Sequence, residues 1–200
     1  MIAHIKGTLE TKAADYVVID VGGLGYKVYI SATGMEKLGN IGDKVKVYTY
    51  YRVREDDISI FGFNTNEELR MFELILSVSG VGAKTAQTIV ALTNPSEFAI
   101  AIISDDISYL TQIPGIGAKS AQRIILELKD KMKKEKSITQ TKNTKVKEAI
   151  VDSNKVEEAI SALQVLGYNK KEIEKVFMKL DKKDLSTEDL IRKGLTILAN

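Results

Sequence analysis

The chain has 200 residues, 44% of them hydrophobic and 28% charged, with a formal net charge of +2. That composition suits a globular protein of one large domain or two to three small ones. Cysteine is absent, which excludes disulfides and thiolate metal sites and fits a reducing, cytoplasmic setting. No apolar run reaches the ~18 residues of a membrane span, no secretory leader is expected, and no membrane partner is implied. Near-neutral charge means that any anion binding must come from placement, or from backbone N–H groups.

Residues 1–63 read as strands. MIAHIKGTLE, YVVIDV, YKVYIS, DKVKVYTYYRV and ISIFGF are rich in β-branched and aromatic residues and partly alternate. GGLG at 22–25 is a hairpin turn signal, and a short helix is expected around Met35–Leu38. Five short strands with one small helix predict a compact OB-like β-barrel. At Asn64 the period changes. Thr65 with Glu68 forms a capping box, and LRMFELILSV continues as an amphipathic helix. Asn94-Pro95 opens another helix, Asp105 or Asp106 a short one, and the last runs from about Ala118 through ILELKDKMKK. Residues 64–136 are therefore expected to form a central helical domain.

KSITQTKNTKVKEA has few apolar residues and no period, so 137–152 reads as a flexible linker. Residues 153–200 carry three cap-and-acid pairs, Asn154 with Glu157, Asn169 with Glu172 and Ser186 with Asp189. They predict a three-helix bundle around Ile160, Leu163, Val176, Leu180, Leu190 and Leu195. The fold class is a multidomain α+β protein.

One phrase occurs twice. GVGAKTAQTI begins at Gly80 and GIGAKSAQRI at Gly115, and the copies align without gaps. In each, a helix ends on an apolar residue, a G-x-G turn follows and a second helix starts at once. The glycines permit a tight turn and close approach of a ligand to backbone amides. The free donors and partial positive charge of the second helix point to the same place. Lys84 and Lys119 add a mobile cation on each first turn. A nucleotide P-loop fits poorly: it needs glycine directly before lysine, where Ala83 and Ala118 stand. Plain helix joints with glycine caps and solvated lysines are a second alternative. Both copies match the helix-hairpin-helix pattern h-x-G-h-G-x-x-x-A, which grips DNA phosphates without reading bases. The candidate DNA-binding residues are Gly80, Gly82, Lys84, Thr85, Gly115, Gly117, Lys119, Ser120 and Arg123.

VREDDISI places Glu55, Asp56 and Asp57 between two strands. Such a stretch is most often a solvated turn. A carboxylate metal site, as in a structure-selective nuclease, would need acids from elsewhere, and no D-x-D or H-x-x-x-H spacing supplies them. His4 is the only histidine, and neither a Ser/His/Asp nor a Cys/His constellation can be assembled.

The whole chain resembles the RuvA family, the Holliday-junction-binding subunits of the bacterial branch-migration machine. The barrel ending in VREDDISIFGF carries the resemblance, with the two hairpins and ALQVLGYNKKEIEKVF with STEDLIRKGL. Residues 137–152 match nothing in that pattern. The resemblance implies a non-catalytic protein without cofactor or metal that binds four-way junction DNA in recombination and repair. It implies a homotetramer, alone or as two facing tetramers, built through the N-terminal regions. Glu55, Asp56 and the adjacent Asp57 would form an acidic pin at its centre, with Arg54 holding a phosphate just outside. The third domain would recruit RuvB, a hexameric ATPase, through a face around Leu163, Leu166 and Tyr168; RuvC, a resolvase, would join the assembly. Without the resemblance, a general duplex-binding scaffold remains a rival.

Overall fold

The computed structural model describes residues 1–139, 152–180 and 185–198. The described residues fall into two compact units: residues 1–76 with 81–92, and residues 77–80 with those from 93 onward.

In the first unit, β1 (His4–Lys12), β2 (Tyr16–Val21), β3 (Leu24–Tyr29), β4 (Lys44–Val53) and β5 (Ile58–Phe63) close into a barrel in the order β1-β2-β3-β5-β4. Neighbours run antiparallel except β3 and β5, which meet in parallel at Tyr29 and Phe61. Strand alternation sends Ile5, Leu9, Val17, Ile19, Val45 and Val47 inward to one buried cluster. The register of β1 against β2 shifts between Leu9 and Thr11, a bulge of the kind that bends a strand and sharpens its twist. A short helix, α1 (Ala32–Lys37), starts earlier than expected because the Ser31 hydroxyl accepts from the Gly34 amide and caps it.

The expected capping box opens α2 (Asn66–Leu76): the Glu68 amide donates to Thr65 Oγ1 at 3.1 Å, and the Glu68 carboxylate accepts from the Asn64 amide at 2.9 Å. The helix docks on the outside of β5 through Phe72, whose ring lies 5.6 Å from Phe61 and 4.8 Å from Phe63. β5 is thereby covered on both faces. α3 (Ala83–Leu92) packs on α2 and completes this unit.

The second unit holds α4 (Pro95–Ile103), α5 (Ile107–Thr111), α6 (Ala118–Thr139), α7 (Asp152–Val165), α8 (Lys170–Lys179) and α9 (Thr187–Leu198). Asn94 caps α4 with Pro95 in its first turn, and Asp106, not Asp105, caps α5 through the Tyr109 amide. α6 continues to Thr139 and α7 begins at Asp152, so 137–139 and 152, expected as linker, are helical. The KMKKEK run before Ser137 consists of good helix formers, which carry α6 onward without an apolar period. The rest of the expected linker lies outside the described residues. Asn154 sits inside α7 rather than at its start; Asp152 and Ser153 are cap formers of the same kind, and spacing alone does not choose among them. Leu163, Val176 and Leu190 are buried as expected in the bundle core, with Ile160, Leu180 and Leu195 half-buried around them. That core includes Ala99 of α4, with Ile100 and Ile103 packed against it. By packing, α3 groups with α2, and α4 shares its apolar face with the bundle.

Candidate nucleic-acid interface

Each copy of the repeated phrase builds the same local turn. Buried Val78 and Ile113 anchor the chain just before it. Gly80 (φ 80°) and Gly115 (φ 84°) then take the left-handed conformation that only glycine adopts at little cost. Two residues on, the carbonyls of Gly82 and Gly117 accept the first helical hydrogen bonds, from Ala86 and Ala121, both at 2.9 Å. Gly82 and Gly117 are therefore the N-caps of α3 and α6. Neither has a positive φ, and a Cβ on either would meet nothing within 4 Å. The fold needs a glycine at the first position of each turn but not at the second.

The amides after each cap have no partner within their own helix. Lys84 and Lys119 are exposed on the first helical turns, and neither side chain makes a hydrogen bond or ion pair among the described residues. Ser120 is exposed beside Lys119, and Thr85 is half-buried beside Lys84. Each turn therefore offers free backbone donors, a helix N-terminus and one uncommitted cation.

A ridge on α6 was missed by sequence reasoning. Arg123, Glu127 and Lys131 recur every four residues on one helical face and hold the turn Ser77–Gly80. Arg123 Nη1 donates to the Ser79 carbonyl at 3.4 Å. The Ser79 amide donates to Glu127 Oε2 at 3.0 Å, and Lys131 Nζ donates to the Ser77 carbonyl at 3.0 Å and to its hydroxyl. The spacing was visible as a face; that it meets a turn more than forty residues away was not. Arg123 thus lies beside Gly80 of the other copy, 3.1 Å from where a Cβ there would be.

The acids of VREDDISI form the turn between β4 and β5. Val53 faces Ile58, and the Arg54 amide donates to the Asp57 carbonyl at 2.8 Å, leaving Glu55 and Asp56 as the two residues of the tip. Arg54, Glu55 and Asp56 are exposed. Asp57 differs from its neighbours: its carboxylate accepts from the Ser59 hydroxyl and from Arg52 Nη2 at 3.2 Å. The Ser59 hydrogen bond first, and then Arg52, hold its carboxyl below the usual range. Asp57 fastens the turn to β4 and β5 rather than projecting from it. Among the described residues no three His, Cys, Asp or Glu side chains are grouped to hold a metal ion. His4 is exposed at the start of β1.

Leu163, Leu166 and Tyr168 do not form an exposed face. They are 0%, 1% and 7% exposed, packed in the core that α7–α9 share with α4. The expectation of an open apolar surface is corrected on this point: all three side chains belong to a core that also takes in Phe177 of α8 and Leu190 and Ile191 of α9.

A closed five-stranded barrel followed by two glycine turns, each opening a helix, defines a protein of the tandem helix-hairpin-helix class. Family comparisons agree along the chain. Residues 1–62 match the RuvA N terminal domain, 72–130 the SAM-like Helix-hairpin-helix tandem, and 154–199 the RuvA, C-terminal domain. A protein of Acetivibrio thermocellus described as "Holliday junction branch migration complex subunit RuvA" is 46% identical over 200 residues, 100% of this chain and 99% of that one. Its counterpart in Ruminiclostridium cellulolyticum is 43% identical over 199 residues, 99% of this chain and 100% of that protein. One from Clostridium perfringens strain 13 is 41% identical over 202 residues, 99% of each. The chain belongs to the RuvA family.

Proposed function

We propose that this chain is the junction-binding subunit of a branch-migration complex, with no catalytic activity of its own. Each hairpin holds duplex backbone: amides near Gly80, Gly82, Gly115 and Gly117, with Lys84, Thr85, Lys119, Ser120 and Arg123, contact phosphates. Four copies assemble through their N-terminal regions, one tetramer or two facing ones per four-way junction. Glu55 and Asp56 then form a negative ring at the crossover. Carboxylates near phosphates oppose affinity, so the ring keeps strands apart and guides them into neighbouring arms, while Arg54 holds a phosphate outside it. The C-terminal bundle recruits the RuvB ATPase, through Leu163, Leu166 and Tyr168 once the core that holds them has opened. RuvC joins the assembly, which works in the cytoplasm.

One observation carries this reading. Gly82 and Gly117 are glycines that the fold does not require, each placed where a helix begins and beside an uncommitted lysine of its own first turn. Something outside the chain must come close there. Competition between a synthetic four-way junction and linear duplex of the same arms, with native mass of the complex, tests it. A junction preference with four or eight chains per junction is expected. Equal affinity would favour a general duplex scaffold, and Mg²⁺-dependent cleavage of the junction would favour a nuclease.

A further inference from the structure

The outer face of the barrel carries an arrangement that stability alone does not explain. β1 and β4 pair with His4 opposite Tyr48, Lys6 opposite Lys46, and Thr8 opposite Lys44. The intervening Ile5, Leu9, Val45 and Val47 are buried, so these three pairs all face outward. Lys6 and Lys46 thus stand directly across from each other, with Lys44 two residues along. Like charges in that position destabilise a sheet.

Among the described residues no acid is paired with Lys6, Lys44 or Lys46. Lys44 donates to Thr8 Oγ1 at 2.7 Å and Lys46 to the Tyr48 hydroxyl at 3.3 Å, both neutral. Two carboxylates lie near in sequence or register, but each is engaged: Asp43 accepts from the Asn40 amide at 2.7 Å, and Asp20, across from Thr8, accepts from the Gly23 amide at 2.9 Å. Glu10 follows on β1 beyond Thr8, next to the bulge. β2 pairs with β1 only from Thr8 onward, so no strand flanks His4 and Lys6 on that side.

We propose that Lys6, Lys44, Lys46 and Tyr48 form a second binding strip for the sugar-phosphate backbone of a DNA strand. Outward residues two apart on a strand are spaced about 6.6–6.8 Å, close to the spacing of successive phosphates. Lys46 Nζ lies 4.5 Å from the Tyr48 ring centroid, so the strip combines cations with an aromatic surface, the pairing by which proteins hold single strands. It also has a direction. β4 runs from Lys44 to the acidic tip at Glu55 and Asp56, with basic residues at one end and acids just beyond the other. DNA leaving the tip along β4 would be repelled at one end and held at the other. The choice of DNA as the polyanion depends on the function proposed above.

The test is the salt dependence of junction binding by the full chain. Each phosphate contact contributes roughly 0.7–0.9 units to the slope of log K against log salt. Lys6→Gln, Lys44→Gln and Lys46→Gln together should flatten the slope by about 2–3 units on a long-armed junction, and Lys46→Gln alone by somewhat under one. The melting temperature at low salt should hold or rise as the repulsion is removed. An unchanged slope in the triple variant, with a slope still reduced by Lys84→Ala plus Lys119→Ala, would overturn the strip and leave the hairpins standing. Insensitivity to both sets would remove the DNA-binding reading itself. A lowered melting temperature in both the triple and the single variant would make the lysines supports of the barrel, and would equally overturn the proposal.

Discussion

The two glycines of each G-x-G turn separate structure from binding. Gly80 and Gly115 sit at positive φ; alanine there should lower stability by about 1–2 kcal/mol per site. Gly82 and Gly117 are N-caps with empty space around them. Serine is a better cap than glycine, so Gly82→Ser with Gly117→Ser should melt at or above the wild-type temperature. If phosphate backbone approaches there as proposed, the same variant should bind a junction at least tenfold more weakly, because a side chain would stand in its way. Thermal melting and junction titration on one preparation decide it; unimpaired binding would mean that nothing comes close to these turns. The motif was legible in the sequence, since both copies carry the same letters. The different roles of its two glycines were not, because φ and free space are properties of the folded turn.

A second residue-scale expectation concerns Asp57. Its carboxyl is held low by the Ser59 hydroxyl and Arg52. Folding therefore gains from the ionised form above the unfolded-state pKa, and that gain disappears as pH falls through the lower folded-state value. Asp57→Asn should melt below wild type at neutral pH, and the two curves should converge in acid. Parallel curves at every pH would show that the charge does not fasten the turn.

At the scale of elements, what was legible is what lies close in sequence. Thr65 with Glu68, Asn94 before Pro95, and Ser186 with Asp189 all form caps where spacing placed them, because a cap closes within four residues. The α6 ridge reaches Ser79 and Ser77 across 44 to 54 residues, and no local rule specifies such a partner. This ridge ties the second hairpin's long helix to the first hairpin's turn. Glu127→Ala should free the Ser79 amide, speed its hydrogen exchange and lower stability by about 1 kcal/mol. Junction affinity should fall with it, although Glu127 carries the wrong charge to touch a phosphate. Unaltered exchange at Ser79 would show that the turn holds itself.

For the whole molecule, the order of barrel, hairpins and bundle was readable from the change of period at Asn64 and the loss of period after α6. Which face of the bundle is covered was not, since Leu163, Leu166 and Tyr168 have the same apolar spacing whether they meet solvent, a partner or α4. The core that holds them also includes Ala99, with Ile100 and Ile103 packed against it, which makes a truncation informative. A chain ending after Thr139 should still bind junctions, since both hairpins remain. It should also melt lower and self-associate, because the apolar side of α4 is uncovered. Ile100→Gln with Ile103→Gln in that shortened chain should restore solubility. A truncated chain as stable and monodisperse as the full one would mean that the shared core contributes nothing.

The shared core also makes α4 a competitor. Whatever binds Leu163, Leu166 and Tyr168 from outside must wait for the bundle to let go, and its apparent dissociation constant is the intrinsic one divided by the released fraction. A bundle free about 1% of the time would weaken its partner about 100-fold. Ile103→Asp, which opposes docking without touching the bundle's own residues, should raise that fraction. Half-maximal stimulation of the ATPase should then occur at a lower concentration of this subunit, while stimulation at saturation stays the same. The strength of recruitment would be tuned by a helix outside the bundle itself.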